Sequence, residues 1–512
     1  MNKHSYLNNI LLLNYSKTIY SSLSLSLSLL IVFCAITISF FIVIAPQLGV
    51  IAAGILFLFI SIFILYKKLV PGAPLWAKFI FIVVLGDFIL NYGFTNFSVG
   101  VGATKVTVAE LVLLVTLIYL LFKAWPAFWV SKLAALCLIA YFIVPTVVHL
   151  PSNLMGLGAV AARDYLPLVD SLFFFTGMAV VYIAGNKETW LLWRNNFIRI
   201  LLVLSAFYLS LYAVQDWMLQ YSPKVTGYQQ AVPLIGYYAT GNVLALMGLL
   251  ALILIPNMFS PNQLVRPFSL ILLLFVFGVA FVLLQSRTTY LVFIFFLLIL
   301  ALFGYGSAVV KVFWLGVFVV FCLLMVDLSG IELQGRVGNI GLEMVFSQLG
   351  SVTGQGGFEA GSDGVNKRLD WWASAINRWL YDIKSITVGI GFGEPLTTFS
   401  VMGSGGEAVV VREPHNSYIS VLTRTGLFGF IPWLAFHVIL LVTVFREVLI
   451  RKSRGDVESA GYFIWILFLF LAILFSAFVQ PAFESPQFAV PYFFIAGMVL
   501  GQIALEKKGW KS

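Results

Sequence analysis

The feature that most constrains this chain is a succession of apolar runs joined by short polar loops. About 20 apolar residues suffice to cross a bilayer as a helix. On that criterion the 512 residues contain about fourteen segments, centred roughly at 35, 57, 84, 114, 138, 176, 204, 243, 276, 297, 318, 435, 470 and 496. Hydrophobic residues make up 61% of the chain and charged residues 10%, with a mean hydropathy of +1.01. A soluble domain is about half apolar and a quarter charged, so this chain lacks the polar groups to cover its surface in water. The expected fold class is an all-α polytopic membrane protein. Its 48 Phe residues suit lipid-facing and interfacial positions. The Ser-Leu repeats of 21–29 run into Leu30–Ala45, which reads as a first membrane helix rather than a cleaved leader, since no small-residue cleavage site follows it.

Several function classes fall away. The net charge of +9 is not gathered into a basic stripe interleaved with aromatics, so no nucleic-acid partner is expected. Cys34, Cys137 and Cys322 each lie inside an apolar run, away from one another and from any His, and read as packing residues with no zinc site. There is no Walker A loop and no dinucleotide fingerprint. Short loops carrying Lys67, Lys68, Lys78, Arg194, Arg199, Arg446, Arg451, Lys452, Arg454, Lys507 and Lys508 orient the chain by the excess of basic residues on the cytoplasmic side. Both termini are then cytoplasmic. The loops holding Arg163 and Arg287, and the one long loop, face outward.

That long loop, from about Ser329 to His415, is the polar island of the chain. The expected division is an N-terminal bundle of about eleven helices over 1–328, the loop over 329–415, and about three further helices over 416–512. Charge in lipid is costly and long ordered loops are uncommon unless used, so chemistry is expected in the loop. Residues 348–366 are rich in Gly, Ser and Asp and read as mobile. Residues 367–383 have helical periodicity, with Leu369, Trp372, Ala373, Ile376 and Leu380 on one face. Trp371, Trp372, Trp379 and Tyr381 suit a helix lying at the membrane surface, or stacking on sugar rings. Gly389-Ile390-Gly391-Phe392-Gly393 is a tight turn whose backbone N–H groups can approach a ligand.

Of the four His residues, only His415 is embedded in a polar motif next to a membrane segment. It reads either as a capping residue or as a base, since imidazole titrates near neutral pH and can take a proton from a hydroxyl. Arg287, in Gln285-Ser286-Arg287-Thr288-Thr289, is either an interfacial anchor or a phosphate clamp, because guanidinium forks onto phosphate oxygens. Arg163 and Asp164 either satisfy each other or support an anion site. Asp363, Asp370, Glu394, Glu407 and Glu413 show no spacing that marks a glycosidase carboxylate pair or a metal cluster. Asp87 and Asp170 lie within membrane segments, which keeps a proton-coupled transporter open as another class.

Taken together, these residues resemble a known family. The run His415-Asn416-Ser417-Tyr418-Ile419-Ser420-Val421-Leu422-Thr423-Arg424-Thr425-Gly426-Leu427-Phe428-Gly429 is similar to the signature of the O-antigen ligase and Wzy-type polymerase superfamily. Arg378 to Gly389 reproduces that family's Arg-x10-Gly spacing. Arg368 with Trp371 and Trp372 resembles its loop pattern, and Arg287 resembles its Arg at an outer helix end.

The resemblance implies a GT-C-like membrane glycosyltransferase in a bacterial inner membrane, with no metal and no other cofactor. Its donor would be an oligosaccharide linked to undecaprenyl diphosphate, and its acceptor a second glycan or lipid A–core. A flippase and a chain-length regulator would be partners alongside membrane lipids. In that picture Arg287 and Arg368, or Arg378, hold the diphosphate, His415 acts on the acceptor hydroxyl, and Arg163, Arg412 and Asn416 support them. Family members act as polymerases or as ligases. The length and the expanded loop favour a polymerase. A flippase-like transporter is the alternative of another class, though no internal repeat of the transporter kind is evident.

Overall fold

The computed structural model describes residues 68–95, 98–101, 104–123, 125–210, 240–258, 266–330, 339, 341–350, 359–402 and 408–510. The chain divides into two compact units, Met1–Pro71 and Gly72–Ser512. The described residues of the second unit are mostly helical. In chain order they form α1 (Leu75–Leu85, prolonged by one π-helical stretch Gly86–Leu90), the hairpin β1 (Ser98–Val101) and β2 (Thr104–Thr107), α2 (Val108–Lys123) and α3 (Lys132–Val148). Then come α4 (Leu150–Leu157), α5 (Ala159–Asp170), α6 (Phe173–Ala184), α7 (Lys187–Ser210), α8 (Thr240–Leu254), α9 (Arg266–Leu283), α10 (Arg287–Leu302) and α11 (Gly306–Ser329). The loop region contributes α12 (Leu342–Gly350), α13 (Glu359–Trp379), α14 (Ile383–Val388) and the hairpin β3 (Ser400–Met402) and β4 (Ala408–Val410). The chain closes with α15 (Ser417–Ser453), α16 (Val457–Val479) and α17 (Pro486–Lys508). Both hairpins are antiparallel.

A helix stands at every expected centre from 84 onward; the segments expected near 35 and 57 lie outside the described residues. By length and apolarity, five helical segments among the described residues can cross a membrane: Ala159–Ala184, Val309–Ser329, Ser417–Ser453, Val457–Val479 and Pro486–Lys508. The pair Lys132–Val148 and Leu150–Leu157, bent by 48°, makes a sixth if taken as one span. Thr240–Leu254, Leu270–Leu283 and Arg287–Leu302 are apolar but shorter.

The best-buried part of the bundle is where α17 packs along α6. Their backbones meet at glycines. A Cβ on Gly177 would stand 2.1 Å from the Phe494 carbonyl oxygen, and one on Gly497 would stand 2.0 Å from that of Phe174. Small residues at a helix crossing let backbones touch where lipid supplies no hydrophobic drive for association. Gly248 of α8 likewise admits the ring of Phe277 from α9, whose Cδ1 would lie 2.3 Å from an added Cβ. By contrast α11 is mostly exposed, with Phe313, Trp314, Phe318 and Leu328 all more than half accessible, as befits a helix facing lipid.

The loop helix differs from expectation at its start. α13 begins at Glu359 rather than near 367, so residues 359–366 belong to the helix instead of a mobile stretch.

Candidate functional site

The site is organised by a break in α15. Gly426, inside that helix, has φ 59° and ψ −169°. The break leaves the carbonyls of Thr423 and Arg424 without a regular helical partner, and the Gly-rich turn takes them. Ile390 N–H donates to Thr423 O at 2.9 Å, and Gly391 N–H to Arg424 O at 3.1 Å. Two glycines make the approach possible: a Cβ on Gly426 would sit 2.4 Å from the Gly389 nitrogen, and one on Gly389 would sit 2.3 Å from the Arg424 oxygen. The turn and the helix kink are therefore one structure, with two glycine-bearing motifs interlocked through backbone atoms.

Beside this seam lies a network of charges. Arg424, whose side chain is only 5% accessible, donates to Glu413 at 2.6 Å and stands 3.2 Å from Asp164. Asp164 is also reached by Arg163 and Arg412, each at 2.7 Å, and by the N–H of Gly393 at 3.2 Å. Arg412 donates as well to the Gly393 carbonyl at 2.7 Å. Arg163 and Asp164 do satisfy each other, and Asp164 with its second oxygen ties α5 to the loop. Buried charges persist only when paired and hydrogen-bonded, and the two most buried here, Arg424 and Asp164, both are. An Arg inside the apolar run of α15 is the available sequence signal for this network, since ionisable residues within membrane segments are rarely idle.

His415 sits just ahead of α15. Asn416 caps that helix, its side-chain oxygen accepting from the N–H groups of Tyr418 and Ile419 at 3.0 and 3.2 Å. His415 itself has φ 55°, a left-handed conformation uncommon for a residue other than glycine. Its Nδ1 lies 3.1 Å from the Glu413 carbonyl. A carbonyl only accepts, so Nδ1 carries the proton and Nε2 is the basic nitrogen. The ring centroid is 5.1 Å from that of Trp371 on α13. The next residue, Trp372, donates its Nε1–H to the Pro414 carbonyl at 2.9 Å, and Trp379 donates to the Ile386 carbonyl at 3.2 Å. The tryptophans of α13 thus face protein. The buried face is centred on Ala375, rotated from the one read off the periodicity, because the His415 segment supplies partners for Trp371 and Trp372.

Arg368 precedes Trp371 by one helical turn and so shares its face. Burial, and then the charge of Arg287, make the Arg368 guanidinium less basic than usual. Arg287 is therefore close enough to act on it. Arg287 opens α10, where Gln285 takes a positive φ and Ser286 caps the helix by accepting from the Thr289 N–H at 3.4 Å. A helix N-terminus adds its own positive end. The other candidate, Arg378, is turned elsewhere: it pairs with Glu394 at 2.5 Å and donates to the Pro395 carbonyl. Among the described residues no group of three or more His, Cys, Asp and Glu is disposed to hold a metal.

One residue with no signature in the sequence joins the site. Glu484, between α16 and α17, accepts from the Ser417 hydroxyl at 2.5 Å, and that hydroxyl accepts from the Phe483 N–H at 3.1 Å. Its other oxygen is buried with no partner among the described residues. Burial, reinforced by the charge of Glu413, pushes its carboxyl up to about 7. In the unfolded chain the same carboxyl titrates near 4.5. The protonated form is thus favoured by folding: the contribution is fully present below the unfolded value and is lost as pH rises through about 7. Thermal stability of the detergent-solubilised chain should fall across that window. Glu484→Gln should flatten the fall, and an unchanged slope in that variant would contradict the assignment.

No curated protein matches the chain. A family profile described as O-Antigen ligase (Wzy_C) matches residues 268–434. The matched segment contains Arg287, Arg368, Arg378, Arg412, His415, Asn416, Arg424 and both interlocked glycine motifs; Arg163, Asp164 and Glu484 lie outside it. The resemblance read from the motifs is thereby borne out over residues 268–434, which match the O-antigen ligase (Wzy_C) family, in a chain with several helices long and apolar enough to cross a membrane.

Proposed function

We propose that the chain is a glycosyltransferase that moves glycan from undecaprenyl diphosphate to an acceptor hydroxyl, joining repeat units of a polysaccharide. The observation that carries this reading is the His415 ring standing 5.1 Å from that of Trp371, with Arg368 one turn earlier on the same helix and the charge of Arg287 acting on it. Two guanidiniums suit a diphosphate, which has the charge and the oxygens to take both forks.

In this reading the acceptor oxygen bonds to the anomeric carbon from the face opposite the diphosphate. Its proton passes to His415 Nε2. The carbon–oxygen bond to the diphosphate breaks, and the electron pair leaves with undecaprenyl diphosphate, whose growing charge Arg287 and Arg368 stabilise. One displacement inverts the anomeric configuration and asks for neither nucleotide nor metal. Arg378, Arg412 and Arg163 act as braces for the loop, and Asn416 sets the start of α15. The loop over 329–415 is then periplasmic, between membrane bundles over 1–328 and 416–512. The bundle is a GT-C-like one of about fourteen spans, in a bacterial inner membrane with both termini in the cytoplasm. A flippase delivering the donor and a chain-length regulator would work beside it.

The description of the matching family, an O-antigen ligase, favours a second reading in which the acceptor is lipid A–core. The two are separated by incubating the purified full chain in nanodiscs with undecaprenyl-diphosphate oligosaccharide. A ladder of longer lipid-linked products is expected. Transfer only on addition of lipid A–core would make the protein a ligase. No transfer with either acceptor would overturn both readings and favour a transporter.

A further inference from the structure

α13 has a second face. Asp370 and Asn377 lie on the side of the helical wheel away from Arg368 and Ala375, and Ser374 lies between that side and Trp371. They line an open groove of about 620 Å³ that Tyr381, Thr398 and Phe399 complete. That volume is in the range of small-molecule sites. The spacing i, i+4, i+7 makes a ladder rising about 10 Å along the helix, which suits a linear ligand more than a compact one.

The chemistry of the ladder is specific. Among the described residues, neither the Asp370 carboxylate nor the Asn377 amide makes a side-chain hydrogen bond to protein, and both residues are exposed. Ser374 and Thr398 meet at 3.4 Å across the floor, each with hydrogen-bonding capacity to spare. Tyr381, 84% accessible, and Phe399, 39% accessible, stand at the margins. A carboxylate and an amide that offer paired acceptors and donors to adjacent hydroxyls, beside aromatic faces that cover apolar C–H surface, are what a pyranose ring requires. A membrane headgroup layer fits less well. Asp370 borders the groove, and Glu394, which pairs with the lining residue Arg378, is 60% accessible; an anionic leaflet would meet both carboxylates.

We propose that this groove, offset around α13 from the side that meets His415, is a second saccharide-binding site that holds sugar units away from the bond being made. The proposal rests on the reading of the chain as a lipid-linked glycan transferase and adds a place where the length or register of the glycan is sensed. The ligand class is a linear neutral or amino-sugar oligosaccharide, since Asp370 disfavours an acidic one.

The probe is the lipid-free oligosaccharide released by mild acid from the producing cell's own lipid-linked glycan. It is added to the full chain in nanodiscs and followed by saturation-transfer NMR. Sugar signals are expected with the wild type and equally with His415→Ala. Binding should weaken about tenfold or more in the double variant Asn377→Ala, Tyr381→Ala. In the transfer assay that double variant should raise KM about tenfold with little change in kcat. Equal affinity and KM in the double variant and wild type, or no sugar signal with the wild type, would overturn the groove. So would saturation transfer to lipid headgroups alone, lost in the double variant, which would give this face to the bilayer. A wild type that transfers glycan while the double variant is unaffected leaves the transferase standing and removes only the groove. Sugar binding at the groove without any transfer would do the reverse.

Discussion

His415→Ala should lower the rate of glycosyl transfer by about 10²- to 10⁴-fold, the usual contribution of a positioned general base, while leaving a well-inserted protein. The second half of that expectation follows from what the ring touches. Its hydrogen bond is to the Glu413 carbonyl and its neighbour is the ring of Trp371; it is not part of the buried charge network. Asn416, not His415, caps α15. The loss should therefore fall on kcat and kcat/KM together, with melting close to wild type. Replacement by Gln, which keeps a polar side chain without a basic nitrogen, should be equally inactive. Substantial activity in either variant would remove His415 from the proton-transfer step.

Arg424 should show the opposite pattern. Arg424→Met withdraws the cation that Glu413 holds at 2.6 Å and that stands 3.2 Å from Asp164. It also strips a donor from the Gly391 carbonyl at 3.2 Å. Breaking one side of a buried pair costs about 3–5 kcal/mol, because the remaining charge has no water to turn to. The expected result is a lower yield of monodisperse protein and a large fall in melting temperature. Arg163→Ala provides the contrast: that side chain is 42% accessible, and exposed pairs contribute about 0–1 kcal/mol. Arg424→Lys should rescue only partly, since one ammonium cannot reach both the carboxylates that Nη2 meets and the Gly391 carbonyl that Nη1 meets. Equal stability of Arg424→Met and Arg163→Ala would show that the network does not hold the loop against α5.

Where the sequence is legible, the reason is periodicity. Apolar runs and loop chemistry place helices at each described centre, and His415 to Gly429 stands out because polar residues there interrupt hydrocarbon. The number of spans is less legible: an apolar run such as Arg287–Leu302 forms a helix shorter than a simple crossing needs. Sequence alone leaves Arg368 and Arg378 as equals because both lie on α13. Ten residues apart, they point to different faces of the helix, and only the fold shows the charge of Arg287 acting on one and Glu394 paired with the other. The glycines are visible as motifs, but their purpose, the locking of Gly389 against Gly426, depends on two segments meeting. Glu484 carries no local pattern, being a lone acid in a short loop brought to Ser417 by the packing of α15 against the last helices. Asp164 is legible as the partner of Arg163 and not as the anchor of Arg412 and Arg424, which come from far along the chain.

The most direct measurement of the central claim is the release of undecaprenyl diphosphate by the purified full chain in nanodiscs. The donor is an undecaprenyl-diphosphate oligosaccharide with acceptor present and without nucleotide, comparing wild type with His415→Ala, Arg287→Ala and Arg368→Ala. Wild type should release one undecaprenyl diphosphate for each new glycosidic bond, and all three variants should lose that release. Release that requires a nucleotide, or that continues unchanged when Arg287 and Arg368 are replaced, would contradict a diphosphate site built on these two arginines beside His415.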